Sequence, residues 1–294
     1  MAAPKDSFLK SEFVHNFLHN PGAVAGLIIV VLFLAMVLAG PFLTPQDPYD
    51  VASLNLSDAY KPPMWISGGS AAFPLGTDDQ GRDMLSAIVY GSRISLFIGL
   101  GAVFISCLCG TFLGLLAGYF GGRTDSILMR IVDVQLSFPA MLVALFIMAA
   151  FGRGMGKLIL ALTIVGWVLY ARTVRSAVLV EKNKEYVDAA KLIGLSPLPV
   201  ILRHILPNSL TPLIVIATMQ IGSVILTEAT LSYLGVGVPV TQPSLGLLVK
   251  NGYDVLFSGL WWSSVLPGVF IMLLVFGINL LGDFLRDELN PRLK

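Results

Sequence analysis

Long apolar runs separated by short polar stretches set the pattern of this chain. Runs of about 20 residues, the length a helix needs to cross a bilayer, extend from Ala23 to Leu43, Ile94 to Ala117, Ile131 to Phe151, Leu158 to Val178, Leu213 to Leu234 and Ser264 to Leu285. They lack the two-residue alternation of barrel strands, so the backbone must satisfy its own polar groups as helix. The pattern predicts an all-α integral membrane protein of about six transmembrane helices. It divides the chain into a segment 1–22, a first span 23–43, a loop 44–93, a membrane core 94–285 containing a charged loop 181–208, and a tail 286–294.

Charge gives the spans a direction. With the N-terminus inside, the inner segments hold thirteen Lys and Arg and the outer ones six, as the positive-inside rule requires. Both termini and the 181–208 loop are therefore expected in the cytoplasm. At 55% hydrophobic and 13% charged over 294 residues, the chain is far more apolar than a soluble domain, in which roughly a quarter of residues are charged. A net charge of +1 argues against nucleic acid as a partner and leaves membrane lipid as the surroundings. Cys107 and Cys109, one residue apart in an apolar run, suit neither a disulfide framework nor a zinc site; they read as lipid-facing or packed thiols. Lys5 and Lys10 before the run from Ala23 to Leu38 give it the look of a signal peptide, and we expect an uncleaved anchor.

The longest charged stretch, Glu185 to Asn208, lies between two strongly apolar ones. Tyr186 to Ile193 has helical spacing, with Glu185, Asp188 and Lys191 on one side. Gly194 is expected to end that helix in the left-handed region. Ser196 and Pro197 read as an N-cap and first turn, so a second short helix is predicted from Pro197 to Leu206, stopped by Pro207. In the outer loop, Asp78, Asp79 and Asp83 suggest calcium, but the spacing fails the EF-hand pattern. A tight turn capped by Asp and leading into an interfacial helix is the physical reading. The stretch from Gly235 to Trp262 is expected to be an outer loop with an interfacial segment anchored by Trp261 and Trp262.

Few polar groups lie within the spans. Ala102, Ser106, Gly110, Gly114 and Gly118 form a small-residue stripe that permits close helix approach, within the chain or between two copies. Gln220 is either a pathway residue or half of an interhelical hydrogen bond, since an unpaired buried amide costs about 1–3 kcal/mol. Trp167 lies near the middle of its span. Glu228, about 25 Å from Thr211 at helical rise, is expected near the outer boundary, within reach of water, as a subunit-contact or gate residue. Gly152 to Lys157 looks like a phosphate loop, but Phe151 replaces its first glycine and Leu158 its Ser or Thr. It reads as a short outer turn, and any ATPase must be a separate chain.

Asp188-Ala189-Ala190, then Gly194, then His204-Ile205-Leu206-Pro207 resembles, in residue type and spacing, the EAA loop of permease subunits from bacterial ABC importers. Asp188 for Glu and His204 for Ile depart from the commonest form. Gly76-Thr77-Asp78, Gly81-Arg82-Asp83 and Ser86, with the ending from Asp283 to Arg292, resemble the C-type permease of dipeptide and oligopeptide importers over nearly the whole chain. The resemblance implies the type I ABC importer permease fold and a multi-pass protein of the bacterial inner (plasma) membrane. It also implies a non-catalytic transport subunit whose Glu185, Tyr186, Asp188, Ala189, Ala190, Gly194 and Pro207 couple to an ATPase. The implied partners are a homologous B-type permease, two cytoplasmic ABC ATPases carrying ATP and Mg, and an extracytoplasmic binding protein; no cofactor is expected on this chain. The same scaffold carries glutathione, nickel chelates or opines, which remain open as substrates. An ion-coupled carrier is disfavoured by a midplane nearly free of charge and by the absence of a visible repeat. A membrane enzyme is disfavoured because the three histidines scatter and no HExxH or GxSxG occurs.

Overall fold

The computed structural model describes residues 5–50, 52 and 54–289. Among the described residues ten helices carry the fold: α1 (Lys5–His19), α2 (Pro21–Leu43), α3 (Met84–Phe120), α4 (Gly122–Leu136), α5 (Ala140–Phe151), α6 (Met155–Glu181), α7 (Glu185–Leu192), α8 (Pro197–Tyr233), α9 (Leu245–Tyr253) and α10 (Trp262–Glu288). Five of them, α2, α3, α6, α8 and α10, are long and apolar enough to span a membrane.

The span expected from Ile131 to Phe151 is not one helix. It breaks between α4 and α5, whose axes differ by 87°. Pro139 explains the break, because it pushes Phe138 out of the α region and has no N–H to give.

Small residues bring the spans together. A Cβ on Gly110 would lie 2.5 Å from the Trp167 carbonyl oxygen and from Cβ of Tyr170, and one on Gly114 would lie 2.6 Å from the Ala171 oxygen. The stripe on α3 is thus the seat of α6 within the same chain, and close backbone approach substitutes for the absent hydrophobic drive in lipid. Gly26 of α2 meets the Gly277 backbone of α10 in the same way, at 2.9 Å. At the N-terminal end of α2, Asn20 caps the helix by accepting from the Ala23 N–H at 3.0 Å, and Pro21 occupies the first turn.

The two ends of the bundle are built differently. At one end α1 packs Phe13 and Phe17 edge-on against Phe284 of α10, at 5.5 and 5.1 Å. Asn16 donates to the Glu288 carboxylate at 3.2 Å. At the other end the loop before α3 is folded in tightly around Thr77. Its N–H donates to the Lys61 carbonyl at 3.0 Å, and its hydroxyl donates to the Asp58 carbonyl at 2.5 Å.

Several outer expectations change. The stretch after Asp83 is not a separate interfacial helix but the first turns of α3, with Met84, Ala87 and Ile88 buried against Leu245 and Leu248 of α9. Trp262 is not an interfacial anchor. It is 4% exposed, and its indole N–H donates to the Thr77 carbonyl at 3.3 Å. Gly152 and Gly154, both at positive φ, do form the short turn expected between α5 and α6.

Candidate functional site

α7 is held against the bundle by one face only. Val187 and Ala190 are buried in the same apolar cluster as Val174 and Val178 of α6 and Val200, Ile201 and Ile205 of α8. Glu185, Asp188 and Lys191 share an exposed side, as the spacing predicted, Ala189 is exposed as well, and Lys191 pairs with Asp188 at 2.9 Å. Leu192, at the end of the helix, is 88% exposed and Ile193 after it 77%. Gly194 ends the helix at φ +82°, and a Cβ there would meet open space. Its glycine therefore serves the left-handed backbone and not crowding.

The second helix of the loop does not stop at Pro207. It begins at Pro197 and continues to Tyr233. Val200–Ile205 is a π turn, in which the Leu206 N–H reaches the Ile201 carbonyl five residues back. Proline is tolerated here because the wider turn has already broken the α register, so Pro207 withholds an N–H where no regular α ladder exists. Asn208, next in the chain, donates from Nδ2 to the His204 carbonyl at 2.7 Å. Ser196 occupies the N-cap position with extended backbone, but its side chain makes no capping bond.

A polar network joins these parts. Glu181, the last residue of α6, is 8% exposed. It accepts from Lys184 Nζ at 2.6 Å and from the Tyr186 hydroxyl through a short bond. Tyr186 in turn accepts from Asn208 Nδ2 at 3.2 Å. Burial, and then the Glu181 carboxylate, push the Tyr186 pKa up to about 12, so the hydroxyl remains a proton donor throughout the physiological range. Beside it an open cleft of about 940 Å³ is lined by Glu181, Lys184, Asn208, Thr211 and Arg286. The spacing singled out Tyr186 and Pro207 but missed Glu181. Glu181 looks like an ordinary charge at the end of an apolar run, and only the position of Tyr186 five residues on hints at a partner.

The three intramembrane candidates do not converge. Trp167 donates to Oε1 of Gln135 at 3.0 Å, tying α6 to the end of α4. Gln220 is half-buried on α8. Glu228 lies eight residues further along α8, about 12 Å at helical rise, and it is not where water was expected to reach it. It is fully buried, accepting from Ser95 at 2.8 Å and Ser232 at 2.7 Å. The distance along α8 was sound, but α3 and α9 cover that end of the helix and close it off.

The outer motif is also closed. Asp78 and Arg82, 2% and 1% exposed, pair at 2.6 Å, and Asp78 further accepts from the Gln80 and Arg82 backbone N–H groups. Asp83 caps α3 by accepting from the Ser86 N–H at 2.8 Å and its hydroxyl at 2.6 Å. Burial raises Asp83 above the ordinary carboxylate range, against these bonds. Among the described residues no group of three or more His, Cys, Asp or Glu is placed to hold a metal ion.

Comparison with known proteins gives this geometry its context. The family of binding-protein-dependent transport system inner membrane components matches residues 110–294. The chain belongs to that family. The N-terminal transmembrane domain of oligopeptide transport permease C matches residues 7–63. The di/tripeptide transport system permease protein DppC of Pseudomonas aeruginosa is 42% identical over 283 residues, 96% of this chain and 92% of its own. The dipeptide transport system permease protein DppC of Escherichia coli K12 is 42% identical over 295 residues, 100% of this chain and 97% of its own. The oligopeptide transport system permease protein OppC of Bacillus subtilis is 39% identical over 290 residues, 99% of this chain and 92% of its own. Among solved structures, an inward-facing MetNI methionine ABC transporter chain superposes with a TM-score of 0.55 at 20% identity, covering 70% of this chain and 97% of that one. The fold is accordingly that of an ABC importer permease, and the protein is a multi-pass component of the bacterial inner membrane.

Proposed function

We propose that this permease moves di- and oligopeptides into the cytoplasm, and that α7 and the turn after it are the surface on which a cytoplasmic ATPase acts. The observation that carries the reading is the division of α7. Val187 and Ala190 fix it to the core, while Leu192 and Ile193 stand almost fully exposed beside the charges of Glu185, Asp188 and Lys191. Exposed apolar groups rimmed by charge are a protein-docking surface. The peptide substrate is carried over from the names of the relatives.

In this reading the chain works with a homologous B-type permease, two ATPase subunits that bind ATP and Mg, and an extracytoplasmic binding protein. It contributes no catalysis and no cofactor of its own. ATP closure of the ATPases pushes α7, the bundle opens outward to the loaded binding protein, and hydrolysis resets it. Residues 1–22 and 286–294 are the cytoplasmic ends, and 44–93 offers the outer docking loop. Gly194→Trp places an indole on the docking turn and forces a side chain to φ +82°. Peptide uptake is expected to fall to background while membrane insertion persists; normal uptake by this variant contradicts the docking assignment.

A further inference from the structure

We propose that Tyr186 is the positioning residue through which movement of α7 reaches the membrane helices, by way of the π turn in α8. The proposal rests on the docking reading above and deepens it. Apolar contact alone holds α7 loosely in direction, because such packing is non-directional. The hydroxyl of Tyr186 supplies direction. A phenol has one proton to donate. Here it goes to Glu181 at the end of α6 through a short bond, in preference to the His204 carbonyl at 3.4 Å, while its oxygen accepts from Asn208 on α8. The donors and acceptors run in one sense, from Asn208 through Tyr186 to Glu181, with Lys184 balancing the carboxylate at 2.6 Å.

Asn208 does more than meet Tyr186. The same Nδ2 group caps the His204 carbonyl inside the irregular part of α8. A displacement of α7 that draws Tyr186 away from Asn208 therefore also disturbs a bond to a carbonyl within the π turn. π turns are local departures from the α register, found frequently at functional sites. The turn sits directly between the docking surface and the 28 residues of α8 from Leu206 to Tyr233. Tyr186 and His204 also place their rings 6.4 Å apart. Tyr186→Phe keeps the ring and removes only the hydroxyl through which the linkage runs.

The test uses the whole transporter, purified with its ATPases and its binding protein and reconstituted in vesicles. Uptake of a defined dipeptide mixture, read by mass spectrometry, is compared with ATP hydrolysed over the same interval. Tyr186→Phe is expected to retain the ATPases and to hydrolyse ATP, but to import about tenfold fewer peptides per ATP. Asn208→Ala is expected to lower the same ratio, by less, and provides the measurement if Tyr186→Phe is not recovered. An unchanged ratio in an assembled complex overturns the proposal, because packing alone then transmits the motion. Loss of ATPase retention by Tyr186→Phe also overturns it, since the hydroxyl then serves docking. Failure of the unsubstituted chain to hold any ATPase is a different result, and sinks the docking reading beneath it.

Discussion

The outer segment from Gly76 to Ser86 and the inner helix α7 are both short, charged and built on closely spaced motif residues, but their side chains meet opposite surroundings. In the outer segment Thr77, Asp78, Arg82 and Asp83 are buried and engaged with one another, with the backbone, and with the start of α3. In α7 the charges point outward, and Leu192 and Ile193 at its end are almost fully exposed among the described residues. A motif's charge content does not say whether it serves the fold or a partner. Burial does, because an unpaired buried charge is costly whereas an exposed one is not.

Substitutions can break this contrast, and they rank by their expected effect on stability. Arg82→Met leaves the Asp78 carboxylate buried without its 2.6 Å partner, and removing one member of a buried pair costs about 3–5 kcal/mol. The yield of folded, detergent-stable protein should drop sharply, while Arg82→Met combined with Asp78→Leu should recover part of it. Glu228→Leu comes next. It strands the hydroxyls of Ser95 and Ser232, at about 1–3 kcal/mol for each unsatisfied group, and thermal unfolding in detergent should shift down by more than for Glu228→Gln. Leu192→Ser stands at the other extreme. Its side chain is 88% exposed, so stability should change by no more than about 0.5 kcal/mol, yet ATPase retention on affinity resin should fall severalfold. A large loss of stability in that last variant would erase the contrast.

Much of this was legible along the chain. Five of the six spans, the turn at Gly152–Gly154 and the helix ended by Gly194 follow from periodicity and backbone sterics, which are local. The small-residue stripe on α3 announced a close neighbour, although only the fold named α6 as that neighbour. What was not legible depends on the third dimension. Glu228 is sealed in part by α3, whose Ser95 lies 133 residues away, and Trp262 turns inward because Thr77 offers it a carbonyl 185 residues away. Pro207 misled because a proline ends a helix only when the α ladder needs its N–H, and the π turn just before it removes that need. Of the coupling loop, the exposed charges were foreseeable and Glu181 was not, since a charged residue at the end of a span gives no sign of its burial.

The most direct measurement is affinity purification of this chain from its native membrane, with identification of everything retained and an ATPase assay on the eluate. Retention of a second permease and ATPase chains, with hydrolysis stimulated by added binding protein and lowered severalfold in the eluate by Leu192→Ser, is the result predicted by a docking surface at α7. If the chain elutes alone and without hydrolysis, or if Leu192→Ser retains the ATPases as well as the unsubstituted chain does, α7 is not the surface on which they act.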